Sequence, residues 1–134
     1  MYLRFVIADI DEDSEQRLGV FHAVWNLRDE GRLHADEEER HDQIRQWFDE
    51  NLERPTRFSA ARRRFFDKRN RGLSWFKDTA EEHVRWIRGL VTILENHSVP
   101  VAMLKAKRIG YVIYEDEYQV VAEPFADTFA DTEC

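Results

Sequence analysis

The densest chemistry in the sequence lies between Arg54 and Lys77 (RPTRFSAARRRFFDKRNRGLSWFK). There Arg54, Arg57, Arg62, Arg63, Arg64, Lys68, Arg69, Arg71 and Lys77 are interleaved with Phe58, Phe65, Phe66, Trp75 and Phe76. Guanidinium groups meet phosphate or carboxylate oxygens in a two-pronged geometry, and aromatic rings stack on bases or on guanidinium planes. The mixture suits a nucleotide, an anion, a single strand or an acidic protein. The ligand-binding candidates are Arg62, Arg63, Arg64, Arg69, Trp75 and Lys77, with Arg108 from further along the chain. The competing expectation is structural: the rings anchor the segment in the core while the arginines pair with the chain's own acids at Asp9 to Glu15 and Asp36 to Glu39. Ion pairing within an acidic protein is the commoner use of such charge.

A second group could support proton transfer. His83 falls within the apolar stripe of a helix predicted over 78–97, so it faces the protein, and beside a carboxylate a histidine of ordinary pKa can act as a general base. Tyr111, Tyr114 and Glu123 lie on the strands that follow, and Lys77 or Arg108 could hold an anion nearby. The weak catalytic candidates are therefore His83, Tyr111 and Glu123, against the expectation that His83 is a buried structural histidine. Glu115, Asp116 and Glu117 would need a converging fourth ligand to hold a divalent cation, and three consecutive turn residues point in different directions. His34, Glu37, Glu38 and His41 have the spacing of one helix face and ligand types that zinc or iron accepts, but the surrounding charge predicts a solvated face. No glycine-rich phosphate loop, HExxH, nucleophile elbow or CxxC occurs. No metal and no cofactor are expected.

The charge is uneven. The chain of 134 residues has a net charge of -7, yet residues 54–77 hold nine basic residues against one acid, while the flanking parts are acidic. An acidic protein repels duplex nucleic acid at long range, and a local basic cluster can still hold a phosphate or an acidic protein. The single cysteine, Cys134, excludes an intrachain disulfide and a cysteine-based zinc site. With no apolar run near about 20 residues and an alternating, acid-flanked start, neither a membrane partner nor a signal peptide is expected, and the cytoplasm is the expected compartment.

These candidates must be positioned by a small α+β domain. Residues 2–8 alternate as a strand. Asp13 and Gln16 have the spacing of an N-cap and its reciprocal partner, opening a helix with the stripe Leu18, Phe21, Val24, Trp25 that stops at Gly31. A second helix is predicted over 35–52, with acids Asp36 to Glu39 at its positive end. Residues 54–77 read as mostly ordered loop, and Asp78 with Glu81 as the cap of the third helix. Three runs, 99–106, 111–114 and 118–122, read as a meander closed by Pro124. The predicted order is β-α-α-loop-α-β-β-β: three or four helices on a four-stranded antiparallel or mixed sheet, one domain over 1–125 with a frayed tail over 126–134.

Ser74-Trp75-Phe76-Lys77, His83, and the run from Gly110 to Phe125 (GYVIYEDEYQVVAEPF) resemble a family of short bacterial proteins without an assigned activity. Gly19-Val20-Phe21, Asn26-Leu27-Arg28 and Trp47 to Leu52 are similar too, so the likeness spans most of the chain. It implies no functional residues. The leading expectation is a binding or regulatory module that takes an acidic or phosphate-bearing partner through 54–77. The alternatives are a small enzyme with a pocket between the 78–97 helix and the C-terminal sheet, and a structural homodimer.

Overall fold

The computed structural model describes residues 1–10, 16–53, 72–124 and 132–133. Strand β1 (Tyr2–Ile10) fulfils its alternation: Phe5 and Ile7 join the core beneath the helices, and Val6 joins a second core on the opposite face. β2 (Arg17–Gly19) then folds back onto β1, pairing Gly19 with Val6 and Arg17 with Ile10. This corrects the helix expected from Asp13, which lies outside the described residues. β1 continues to Ile10, so its edge captures residues 17–19 as strand, and helix α1 (Val20–Asp29) starts only afterwards. Its inward residues are Val20, Ala23, Val24 and Leu27, leaving Phe21 and Trp25 each 37% exposed. Gly31 does end it. With φ +70, it places its own N–H on Arg28 O and that of Arg32 on Leu27 O, the paired bonds that close a helix in the left-handed region.

Helix α2 (Ala35–Asn51) starts where Glu37 accepts the backbone N–H of His34 at 3.0 Å. Strand β3 (Leu73–Lys77) follows in what reads as loop from sequence. Its strand geometry is decided by two neighbours, β1 at Leu3↔Phe76 and β6 (Gln119–Glu123) at Trp75↔Val120. Helix α3 (Glu81–Asn96) begins after Ala80, not at an Asp78 cap. The carboxylate of Asp78 lies 3.6 Å from the N-terminal ammonium instead. α3 packs between α1 and α2, with His83, Ile87, Leu90, Ile93 and Leu94 buried.

β4 (Ala102–Ala106), β5 (Tyr111–Glu115) and β6 do not form a meander. Only β5 and β6 are neighbours. The order is β5-β6-β3-β1-β4-β7, all antiparallel, where β7 (Thr132–Glu133) pairs with β4 inside the tail expected to fray. The sheet therefore has seven strands among the described residues, with β2 attached to β1, against the four expected.

The connection 107–110 bends this sheet. From Ala106 to Tyr111 five peptide steps reach at most about 18 Å, whereas four interstrand spacings of about 4.8 Å already make roughly 19 Å across a flat sheet. β4 and β5 also run the same way, so the connection must return along a strand length as well. The sheet is accordingly coiled, and Ile109, 3% exposed, sits in the inner core with Val6, Leu73, Trp75, Leu104, Ala106, Val120 and Ala122. Gly110 permits the closure: at φ +130, a Cβ would lie 2.0 Å from Glu123 O. Trp75 Nε1 is buried in this interior without a hydrogen-bond partner among the described residues.

Candidate functional site around the end of the second helix

The last carbonyls of a helix have no partner inside it, so something else must meet them. At the end of α2, Leu52 N–H returns to Phe48 O and the Asn51 side chain to Trp47 O. The remaining bonds come from far along the chain. His83 Nε2 lies 2.8 Å from Asn51 O, and Gln119 Nε2 donates to Glu53 O at 2.6 Å. A carbonyl only accepts, so Nε2 of His83 carries the proton.

His83 is 5% exposed and enclosed by rings, stacked on Tyr118 at 4.2 Å and set against Trp47 at 4.8 Å, with Phe48 and Phe76 at 6.1 and 6.4 Å. Its neighbours give it a structural task, closing α2. The other catalytic candidates stand elsewhere. Tyr111 and Glu123 are paired residues at the far end of the β5–β6 hairpin from Tyr118, and Tyr111 is 49% exposed. The structure does not bring His83, Tyr111 and Glu123 together.

The turn 115–118 is an acceptor hub. Asp116 Oδ1 takes the N–H groups of Tyr118 and Gln119 at 2.8 and 3.0 Å, and Oδ2 takes the Tyr114 hydroxyl and Gln119 Nε2 at 2.9 and 3.1 Å. Partial burial alone would raise the Asp116 pKa, but the donated hydrogen bonds outweigh it and hold the carboxyl below its usual range. Glu115 pairs with Lys77 at 2.7 Å, and this bond raises the lysine pKa. Lys77 alternates with Phe76, so it lies on the opposite sheet face from His83. Trp75 is 4% exposed in the coiled interior, and Arg108 is exposed. Arg62, Arg63, Arg64 and Arg69 lie outside the described residues.

Two hollows flank this helix end. One is an open cleft of about 830 Å³ lined by Asp49, Glu50, Asn51, Leu52, Glu53, Asp116, Glu117 and Tyr118. It is strongly acidic. The other, of about 380 Å³, lies where β3 and β2 share one edge of β1, and is walled largely by apolar side chains. Leu52 lines both.

The face carrying His34, Glu37, Glu38 and His41 is corrected from its solvated expectation. Glu37 and His41 are 6% and 2% exposed. Their partners come from other elements: His97 Nε2 lies 2.8 Å from Glu37 Oε1, and Arg28 Nη1 donates to His41 Nδ1 at 3.0 Å. Burial favours neutral Glu37, but the His34 N–H and His97 outweigh it and lower its pKa. Burial, with the Arg28 and Arg45 charges, lowers His41 to about 4. Sequence spacing marked the face and could not show these partners.

Among the described residues no cluster of three or more His, Cys, Asp or Glu could hold a metal ion, and no helix is long and apolar enough to cross a membrane. Comparison of the chain with protein-family models, with curated proteins and with solved structures finds no match.

Proposed function

We propose that the protein is a binding or regulatory module that recognises an acidic or phosphate-bearing partner through the basic aromatic segment 54–77. The observation that carries this reading is the anchoring of the segment's two ends. Asn51 and Glu53, just before it, are held by His83 and Gln119, and Leu73–Lys77, at its end, form a strand between β1 and β6. A cationic segment tethered at both ends loses less entropy on meeting a partner than a free tail does. The dispersal of His83, Tyr111 and Glu123 weighs against the enzyme alternative.

The test uses Arg62→Glu, Arg63→Glu and Arg64→Glu together, with heparin and polyglutamate as polyanion probes. Wild type should bind both in a salt-sensitive manner. The variant should keep its circular dichroism and lose the binding; if it unfolds instead, the cluster is structural and the reading fails. A second reading, a homodimer, is favoured by the edge strand β5, where Tyr111 and Val112 are 49% and 45% exposed. Light scattering decides the stoichiometry.

A further inference from the structure

The hollow of about 380 Å³ lies at a break in a ladder. β3 pairs with β1 at Tyr2↔Lys77 and Leu3↔Phe76, and in that register the next pairs would be Arg4 with Trp75 and Phe5 with Ser74. Neither forms, and β2 takes the same edge of β1 from Val6 onward. The neighbours fix which way the backbone groups point at this break. The N–H and C=O of one strand residue turn to the same side, and successive residues alternate. Met1 O accepts the Asp78 N–H on the β3 side, so Leu3 and Phe5 turn to that edge as well. Phe5 O lies 3.9 Å from the place a Gly19 Cβ would take, on the β2 side of the break. Lys77 N–H goes to Tyr118 O on β6, so Phe76 and Ser74 turn towards β1. The break therefore holds the Phe5 N–H and, across from it, the N–H and C=O of Ser74, with no ladder pair between them.

A buried backbone N–H needs an acceptor. Phe5 is 4% exposed and lines the hollow together with Ser74, beside an apolar wall that includes Leu18, Leu52, Phe76 and Ile87. The volume falls in the range of small-molecule sites, about 300–1,000 Å³. None of the fourteen described residues lining it is Asp or Glu, and the Arg4 guanidinium is engaged by the chain itself, through Arg17 O at 2.8 Å. The site therefore asks for no charge. It asks for an apolar body carrying an acceptor and a donor side by side, as a strand would present them. We infer that the hollow binds a small neutral aromatic amide, with its ring against Leu18, Phe76 and Ile87, its carbonyl oxygen on the Phe5 N–H and its own N–H on Ser74 O. This goes beyond the reading of segment 54–77 and does not rest on it.

The probe is hydrocinnamamide, compared with benzylacetone, in which a methyl group replaces the amide nitrogen and removes the donor. On titration into the full chain, the amide should move the backbone resonances of Phe5 and Ser74 and slow hydrogen exchange at the Phe5 N–H. It should bind about fivefold more tightly than the ketone, the ratio that one net hydrogen bond allows. Ser74→Phe places a ring at the exposed rim of the hollow and should block both probes while the circular dichroism is unchanged. The comparison of the two probes on wild type needs no variant and decides the matter if Ser74→Phe does not fold. Equal binding of amide and ketone overturns the inference. So do unmoved Phe5 and Ser74 resonances, shifts centred on Asp116 to Tyr118, or unchanged binding in a folded Ser74→Phe. The Arg62→Glu, Arg63→Glu, Arg64→Glu variant should bind hydrocinnamamide as wild type does, which separates this site from recognition by 54–77; loss of that binding in the folded variant would move the ligand onto the segment and overturn the inference.

Discussion

The two hollows beside the end of α2 share Leu52 and differ in almost everything else. On one side Asp49, Glu50, Glu53, Asp116 and Glu117 line an open acidic cleft; on the other, no described lining residue carries a carboxylate. Helix geometry alone does not make that division. Gln119 does much of it, because it lines the apolar hollow while its amide is bonded both to Glu53 O and to Asp116. Among the described residues, the acids gather at a turn and a helix end, where backbone donors and water can meet them, and not along the apolar hollow.

The turn is the place to break this arrangement. Asp116→Ala removes an acceptor of four hydrogen bonds and should destabilise the protein by about 3 kcal/mol, read by urea denaturation. The loss should be accompanied by exchange broadening of Gln119 and Glu53. A cost under about 1 kcal/mol would mean that the partition does not depend on this hub.

The helix that divides the hollows should also respond to acid. His41 is neutral when folded, with a pKa lowered from 6.5 to about 4, so the unfolded chain binds more protons between those values. Its contribution is complete above pH 6.5 and is lost as the pH falls towards 4. The loss is bounded by about 3 kcal/mol. In His41→Gln that part of the stability slope should vanish, leaving the contribution of Glu37 and the other carboxylates. Identical slopes in the two proteins would refute the assignment.

His83→Phe sharpens the comparison least in energy and most in meaning. It keeps ring packing on Tyr118 and leaves Asn51 O without its donor, so it should cost about 1–2 kcal/mol. Polyanion binding should be unaffected. A folded variant that loses that binding would make His83 part of a site instead of a helix clamp.

Much of the local structure was legible in the residues. The alternation of β1, the stop at Gly31, the acidic start of α2 and the stripe of α3 all express neighbours within a few positions. The acids Glu115 to Glu117 were legible as a turn between two strands, although the hub role of Asp116 was not. Segment 73–77 reads as loop from sequence because its aromatic and basic residues continue the composition of the residues before them. Only β1 and β6 on either side give Ser74-Trp75-Phe76 the geometry of a strand.

The sequence by itself determined the class of the protein, the helices and the location of its unbalanced charge, since these depend on periodicity and composition. Only the tertiary structure decided that His83 closes α2, that Glu37 and His41 are buried with partners, and that β1 splits its edge beside a largely apolar hollow. The physical reason is distance along the chain. Gln119 meets Glu53 across 66 residues and His97 meets Glu37 across 60, and such pairings arise from the coiling of the sheet and the packing of α3 between its neighbours, which no local pattern encodes.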